Sequence, residues 1–304
     1  MSDPKECTVG WICAISTEYT AAQAFLDEKH QPPEPLSPAD NNDYTVGKIG
    51  RHKVVIAVLP YGEYGTSSAA NVARDMLHSF PNVRVDLMVG IGGGAPSAKH
   101  YIRLGDIMVS SPRDGKGRVF PYDFGKTIQN NAFQPTGVLN QPPTALRTVV
   151  SGLRSDHEIE GNQLEEAVTL ALEKKPRLRK KYRRPDPGSD RLYRSEFLHP
   201  SGTEESCVVI CGDDLANLVL RPERMEDEDS VVIHYGLLAS ANQLMKNALI
   251  RDKLAAEEGV LCFEMEAAGL MNQFPCLVIR GICDYADSHK NKEWQGLRWI
   301  GRGR

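Results

Sequence analysis

The chain contains 304 residues, of which 41% are hydrophobic and 25% are charged, a composition typical of a globular protein and not of a disordered one. Its formal net charge of −4 gives no reason to expect nucleic acid or an anionic membrane as a partner. No apolar run approaches the ~20 residues of a transmembrane helix. The first ten residues lack the pattern of a signal peptide, so we expect a cytoplasmic or nuclear protein and take the cytoplasm as the prediction.

A buried strand is predicted over Thr8–Ile15, followed by a helix that Ser16 or Thr17 can cap. Glu18 falls in the first turn of this helix, at the exit of the strand. A carboxylate is favoured there by the helix N-terminus alone, but the same position is where α/β sheets hold their ligands. Both interpretations of Glu18 stay open on these grounds.

Glycines are concentrated at the end of the predicted strand Val85–Ile91, where positions 90–94 read Gly-Ile-Gly-Gly-Gly. Residues without a Cβ let a ligand approach the backbone closely, and a tight turn explains them equally well. The cluster matches neither the dinucleotide fingerprint nor the phosphate-binding P-loop. The elements predicted between the first strand and this cluster are a loop over His30–Asn42, a hairpin of Tyr44–Ile49 with Lys53–Pro60, and a helix over Ser67–Phe80.

The middle of the chain, about 144–206, reads as a variable insertion. Helical spacing covers Thr144–Leu153 and Gln163–Glu173, and eight basic residues lie between Lys174 and Arg184. This charge run predicts a solvated surface, with a local anionic partner as the alternative. The short apolar run Cys207–Cys211 that follows is predicted to be a strand.

Seven cysteines occur in the chain, and most of them stand in apolar runs. Neither a pair of C-x-x-C motifs nor a histidine-rich partner segment accompanies them, so the sequence predicts buried, reduced thiols. We accordingly expect no metal site and no cofactor. The cysteines are Cys7, Cys13, Cys207, Cys211, Cys262, Cys276 and Cys283.

A late strand, Val231–Ser240, is predicted to deliver Asn242 and Gln243 to the same edge of the sheet as Glu18. The next helix is expected over Gln243–Glu257 and ends at a glycine, as helices often do.

The stretch from Gly259 to Asp287 reads as strand, helix, strand. Glu264 and Glu266 follow the first of these strands, and Asp284 ends the second, so three acids crowd the exits of two buried strands. The predicted elements are strand Val260–Phe263, helix Ala267–Asn272 and strand Cys276–Ile282.

Together these elements predict an α/β fold: a single domain over residues 1–304 with a mixed, mostly parallel central sheet and helices on both faces. The ligand site is expected at the carboxyl ends of the strands, formed by the glycine cluster, the Asn242 region, Glu264–Glu266 and Asp284, with Glu18 at the same edge of the sheet.

Several motifs then resemble those of the nucleoside phosphorylase/nucleosidase superfamily. Residues 263–269 (FEMEAAG) and 281–287 (GICDYAD) are similar to its signature, and VGIGGGAP and LGDIMVSS are similar to two of its strands. The runs HYGLLASANQLMK and YDFGK look most like the fungal branch. The resemblance covers residues 9–287, broken by the insertion, and it leaves the C-terminal segment 288–304 atypical, so we expect that segment to be truncated or alternatively ended.

The resemblance implies roles for individual residues in cleaving the bond between a purine base and ribose. Asp284 matches the general acid that protonates the leaving base, and Glu266 matches the carboxylate that binds the ribose hydroxyls, with Met265 lying against the sugar. Glu18 matches the residue that orients or deprotonates the attacking water. The two further groups implied are the backbone of Gly92 and Gly93 beside water and ribose, and Asn242 and Gln243 beside the base.

Water is favoured over phosphate as the nucleophile. Phosphorylases of this superfamily carry Gly-Asp-Pro-x-Arg after the first strand and often a second arginine before the glycine-rich turn. Here residues 14–19 read AISTEY, and Met88 stands in the second place. The expected partner is therefore a small purine nucleoside, bound by a homo-oligomer, either a dimer or a hexamer. Two alternatives remain: a phosphorylase whose arginines, such as Arg51 or Arg113, come from a neighbouring subunit, and a nucleoside-sensing module without turnover.

Overall fold

Both faces of the first strand are buried, so helices must cover the sheet on both sides. In the computed structural model, which describes residues 3–34, 36–112, 117–129, 132–137, 139–203, 205–225, 228–289 and 293–294, all five residues of that strand are buried. Ile12 packs into a core with the helix that follows the hairpin, while Trp11 and Cys13 pack into a second core with the helix that follows the strand. Helices therefore cover both faces of the sheet, as predicted.

The bounds of the elements are as follows. Strands of the described residues are β1 Val9–Cys13, β2 Glu28–His30, β3 Tyr44–Ile49, β4 His52–Val58, β5 Val85–Gly94, β6 Ile107–Ser110, β7 Val119–Pro121, β8 Gly125–Ile128, β9 Ala132–Pro135, β10 Ile233–Ser240, β11 Val260–Glu264 and β12 Leu277–Asp284. Helices are α1 Ser16–Ala24, α2 Thr66–Ser79, α3 Thr144–Glu160, α4 Leu164–Lys174, α5 Arg179–Tyr182, α6 Cys207–Ile210, α7 Ala248–Glu258 and α8 Ala267–Leu270.

The central sheet is mixed and runs in the order β11-β10-β6-β12-β5-β1-β4-β3-β2. β1 pairs in parallel with β4 and β5, and β5 pairs in parallel with β12, so the exits of these strands share one edge. β11 also pairs with the end of β5 in the antiparallel sense, which curls that half of the sheet onto itself. The predicted α/β architecture is thereby confirmed.

The glycine cluster is part of strand β5 and not a turn. Its residues pair with β12 on one side and with β11 on the other. A Cβ on Gly92 would lie 2.5 Å from Sγ of Cys262 and 2.9 Å from the carbonyl oxygen of Phe263. Glycine is therefore required where β11 crosses close to β5.

Three local predictions are wrong. Residues Cys207–Ile210 form a helical turn and not a strand, because a five-residue apolar run does not distinguish the two. Helix α7 begins at Ala248, five residues later than Gln243, since the Asn247 side chain accepts the Ile250 N–H and caps it there. Neither Ser16 nor Thr17 caps α1; its N-cap position is Ile15, and the capping carboxylate is that of Glu18.

The basic segment of the insertion folds back onto the domain. The Tyr182 side chain is buried, and its hydroxyl donates to the carbonyl oxygen of Thr17 at 3.2 Å. Helix α5, which carries three of the basic residues, thus packs beside α1 while its charged side chains face outward.

In the part of the chain that the structure covers, no helix combines the length and the apolar character needed to cross a membrane. Arg113 and the bulk of the atypical segment 288–304 lie outside the described residues, so their predicted roles stay predictions.

Candidate active site

Glu18 joins the exit of β1 to the glycine strand. Its carboxylate is buried and turns back over the start of α1, where Oε2 accepts the backbone N–H groups of Ala14 at 2.7 Å and Ile15 at 3.1 Å. Its other oxygen, Oε1, accepts the N–H of Ile91 on β5 at 3.0 Å. The two interpretations left open by the sequence are therefore compatible: Glu18 caps its own helix and also lies against the glycine cluster.

Arg280 is fully buried on β12, opposite Gly90 of β5. A Cβ on Gly90 would lie 2.3 Å from Nη1 of Arg280 and 2.7 Å from Oε1 of Glu18. The absence of a side chain at Gly90 thus makes room for both the carboxylate and the guanidinium. Nη1 of Arg280 has no hydrogen-bond partner among the described residues, so it remains available to a small ligand such as water.

Two glutamates share the guanidinium of Arg280 unequally. Glu264 accepts a short contact from Nη2 and also accepts the backbone N–H groups of Glu266 at 3.1 Å and Ala267 at 3.0 Å. Glu266 accepts from the same Nη2 at 3.3 Å and from the N–H of Gly65 at 3.4 Å, both long contacts. The Glu264 carboxylate is therefore used to bind the backbone at the end of β11 and the guanidinium of Arg280. The Glu266 carboxylate can still accept hydrogen bonds from a ligand.

The charged side chains around Arg280 change one another's pKa values. Burial raises the pKa of Glu266 to about 7; Arg280 opposes that shift, and the carboxylates of Glu264 and Glu18 add to it. Burial by itself disfavours the charge on Arg280, but the same three carboxylates outweigh burial and raise its pKa above the usual value. The guanidinium is therefore charged at any physiological pH, while Glu266 titrates near neutrality.

Asp284 ends β12 beside Gly93. Its Oδ1 accepts the backbone N–H of Ala286 at 2.9 Å, which fixes the rotation of the carboxyl group. Ala286 has a φ of 52°, in the left-handed region that favours glycine, and this strain is typical of functional turns. A Cβ on Gly93 would lie 2.8 Å from that same Oδ1, so glycine is required for the carboxyl to reach this place.

The residues predicted to contact the base lie at the rim. Asn242 is exposed, and its Oδ1 accepts the N–H of Thr66 at 3.0 Å and the Thr66 hydroxyl at 2.9 Å, at the start of α2. The carbonyl of Gln243 accepts the hydroxyl of Tyr122 at 2.9 Å, and its side chain is exposed. Asn242 is thus engaged with the protein, which leaves Gln243 the freer side chain of the two.

Gly65 connects the rim to the buried acids. Its φ of 94° requires glycine, its N–H donates to Glu266, and a Cβ there would lie 2.9 Å from Oδ1 of Asn242 and 4.0 Å from the carbonyl oxygen of Met265. Met265 itself is half-buried between the two glutamates. The structure therefore brings Asn242, Met265 and Glu266 to one turn, and Glu18, Gly93 and Asp284 to the adjoining strand β5.

Arg280, Glu264 and Gly65 complete this site, and no role was predicted for Arg280 or Gly65. An arginine inside a continuous apolar run was the available signal, because arginine is almost never fully buried without a partner. Glu264 was recognised as one of three crowded acids, but its backbone contacts are visible only in the fold.

A cavity of about 410 Å³ lies elsewhere, between the insertion helices α3 and α4 and the strands β6, β10 and β12. Its lining is largely apolar and does not include the acids described above. It reaches Leu277 and Ile279, in the first half of β12, away from Asp284.

Comparison with solved structures identifies the fold. Futalosine hydrolase of Helicobacter pylori strain 26695 matches with a TM-score of 0.57 at 14% identity, over 96% of this chain and 91% of its own. The 5'-methylthioadenosine/S-adenosylhomocysteine nucleosidase of the same bacterium gives 0.55 at 14%, over 93% and 87%. That of Neisseria meningitidis, solved with methylthio-immucillin-A, gives 0.53 at 13%, over 92% and 87%. The chain therefore has the fold of these proteins, which is the fold that the resemblance in its sequence implied.

The chain is also similar in sequence to part of a much longer protein. It is 46% identical over 293 residues to a nucleotide-binding leucine-rich repeat (NLR)-like protein of Hyaloscypha variabilis. The alignment covers 96% of this chain but only 28% of that protein. No protein-family profile matches the chain.

Proposed function

We propose that this chain is a purine nucleosidase that hydrolyses the N-glycosidic bond of purine ribonucleosides, giving free base and ribose. The observation that carries the proposal is that Glu18 and Asp284 both lie against β5, while Arg280 stands between Glu18 and Glu266. The fold neighbours named as nucleosidases and as a hydrolase support the reaction class.

The bond between C1′ and the base breaks through an oxocarbenium-like state, which sets the tasks of the acids. Asp284 donates a proton to the leaving base, a purine at its N7, so that the base departs neutral. Ionised Glu266 accepts hydrogen bonds from the ribose 2′ and 3′ hydroxyls and stabilises the positive charge that develops on the sugar. Met265 packs against the ribose ring.

The attacking water is assigned to Glu18 and Arg280. Nη1 of Arg280, which has no hydrogen-bond partner among the described residues, donates to it, and Glu18 accepts its proton. Both groups lie against Gly90, where a Cβ would collide with them. The backbone of Gly92 and Gly93 lines the same strand. Water thus approaches C1′ with its lone pair directed by two fixed groups, which is the entropic advantage of a preorganised nucleophile.

Phosphate is a poor candidate for the nucleophile because Arg280 is already paired with two carboxylates, and Glu18 would repel a dianion. Arg51 lies in the turn before β4, at the opposite end of that strand from the exit beside Glu18. It therefore cannot serve this chain's own site. Purine specificity, a cytoplasmic location and a homo-oligomeric state belong to the same proposal.

We expect adenosine, inosine or guanosine, or a 5′-modified adenosine, to give free ribose (or its 5′-modified form) and base at a rate independent of phosphate. Product chromatography with and without added phosphate measures this. Glu18→Gln is expected to lower the rate roughly 10²–10⁴-fold, the usual contribution of a general base, without creating a phosphate requirement. Formation of ribose 1-phosphate, or absolute dependence on phosphate, would refute hydrolysis.

Glu266 gives the reaction a pH dependence. Because its pKa lies at about 7 and only the ionised form accepts both ribose hydroxyls, kcat/KM is expected to rise with pH through neutrality. Glu266→Gln should remove this acid limb and lower kcat/KM roughly 10–100-fold, the equivalent of a charged hydrogen bond of about 1.5–3 kcal/mol. The exposed Glu158→Gln is the matched control. An unchanged acid limb in Glu266→Gln would contradict the assignment.

The named relative favours a second candidate, in which the domain recognises a nucleoside as part of a larger protein. Its name, an NLR-like protein, and the 28% of its length that aligns are the observations behind it. Saturable purine nucleoside binding by calorimetry, with no product after prolonged incubation, would support this candidate over the first.

A further inference from the structure

Two histidines and two cysteines converge where the end of the insertion meets the segment that follows Asp284. One ligand atom from each of His199, Cys207, Cys211 and His289 lies within 4.8 Å of the other three. Nδ1 of His199 is 3.2 Å from Sγ of Cys211 and 3.3 Å from Sγ of Cys207, and Sγ of Cys207 is 3.8 Å from Nδ1 of His289. We call these four residues the Cys2His2 cluster.

Three of the six distances among the four ligand atoms match those of a tetrahedral metal site. Zinc–sulfur and zinc–nitrogen bonds of about 2.3 and 2.0–2.1 Å give a tetrahedron with edges of roughly 3.3–3.8 Å. The three contacts above fall on or close to that range. Two thiolates with two imidazoles are also the ligand set that selects zinc over magnesium or calcium.

The local fold directs the two cysteines to one point. They occupy positions i and i+4 around the helical turn α6, so their side chains lie on the same face. The Cys211 N–H donates to the carbonyl of Cys207 at 2.9 Å, and Gly212, with a φ of 65°, then turns the chain away. The ring of His199 is brought over this turn by its backbone N–H, which donates to Oγ of Ser288 at 3.0 Å.

The ring of His289 is fixed by a hydrogen bond and by stacking, as the rings of metal-binding histidines usually are. Its Nε2 lies 2.8 Å from the carbonyl oxygen of Phe197, so Nε2 carries the hydrogen and Nδ1 keeps its lone pair toward the cluster. The imidazole also stacks on Tyr193, with ring centroids 4.0 Å apart. A backbone carbonyl on the distal nitrogen is the usual partner that fixes the tautomer of a zinc-bound histidine.

We propose that the Cys2His2 cluster is a structural zinc site. All four positions are supplied by the protein, which is the closed arrangement of structural and not of catalytic zinc. Binding would release the two thiol protons to solvent and leave the site neutral. The metal would join the end of the insertion to the segment that follows Asp284, across the 82 positions between Cys207 and His289.

This proposal departs from the prediction of no metal site. That prediction relied on C-x-x-C pairs, whereas here the cysteines are spaced C-x-x-x-C, one histidine precedes them and the other follows much later. The proposal is independent of nucleosidase activity, and its readout is metal content.

The test is elemental analysis of the full chain, expressed without a tag and dialysed against a weak chelator. We expect about one zinc ion per chain in the wild type and at least a tenfold loss in Cys207→Ser, Cys211→Ser and His289→Gln. His78→Gln and Cys7→Ser, a histidine and a cysteine outside the cluster, are controls that should keep the metal. Less than a tenth of an ion in the wild type, or full zinc in the cluster variants, would overturn the proposal.

Cobalt substitution of the wild type tests the same site without any variant, so the proposal stays testable even if the variants fail to fold. Co²⁺ bound at the site should give the visible bands of a tetrahedral S2N2 complex together with thiolate charge transfer. Spectra of octahedral cobalt, or a Cys207–Cys211 disulfide found by mass spectrometry in protein lacking zinc, would count against the site.

Discussion

Asp284→Asn is expected to lower turnover of purine nucleosides roughly 10²–10⁴-fold, the usual contribution of a general acid. An asparagine keeps the shape of the side chain, and its carbonyl oxygen can still accept the Ala286 N–H, so the fold should be preserved. What it lacks is a proton to donate to the leaving base. Single-turnover rates with adenosine or inosine measure the loss, and the exposed Asp213→Asn is the matched control.

A change of leaving group separates acid catalysis from general damage to the site. A 4-nitrophenyl riboside leaves as a stable anion and needs no protonation. Asp284→Asn should therefore hydrolyse it at close to the wild-type rate, provided that the wild type accepts it, while remaining slow on purine nucleosides. Near-wild-type turnover of adenosine and inosine by this variant would remove Asp284 from the mechanism.

Arg280→Met is expected to lower the free energy of unfolding by about 3–5 kcal/mol, because it leaves buried carboxylates without their counter-charge. Glu264 and Glu266 are both almost fully buried, and Arg280 is the cation that pairs with each of them. Denaturant unfolding at pH 8 measures the loss. A loss below about 1 kcal/mol, the ordinary value of a surface pair, would contradict the proposed balance of charges.

Two controls identify the source of this loss. Lys48→Met removes a cation from an exposed pair with Glu28, and it should cost less than about 1 kcal/mol. Glu264→Gln added to Arg280→Met should recover part of the stability. Arg280 opposes the raised pKa of buried Glu266, so without it the pKa of Glu266 in the folded state rises further and the folded variant takes up a proton as the pH falls. The deficit should therefore be smaller at pH 5 than at pH 8.

The architecture of this domain was predictable because its strands carry a strong local signal. β1, β11 and most of β12 are continuous apolar runs, and a strand buried on both faces reads that way in any context. The predictions failed where they rested on a very short run or on a single side chain. The run Cys207–Cys211 is too brief to distinguish a helical turn from a strand, and the start of α7 depends on one capping side chain, Asn247.

The positions of the candidate acids at strand ends were also predictable, since Glu18 and Glu266 follow buried strands and Asp284 ends one. β1 and β12 both run parallel to β5, so their exits share an edge. β11 is antiparallel to β5, and only its crossing of the end of β5 brings Glu266 to that edge. Their individual tasks were not predictable from position. Glu264 and Glu266 are two residues apart at the same exit, and only their hydrogen bonds separate a carboxylate that holds the backbone from one with acceptor capacity left. The companion cation, Arg280, is hidden in the sequence by the apolar residues around it.

Sequence alone thus determined the class of fold and the acids at the strand exits of this protein, because hydrophobic periodicity and strand ends are properties of neighbouring residues. Only the tertiary structure decided that Arg280 and Glu18 both lie against Gly90, and that His199, Cys207, Cys211 and His289 meet. Contacts of this kind join residues far apart in the chain. The residues that surround each contact partner in the sequence do not indicate that the two partners lie close together in the fold.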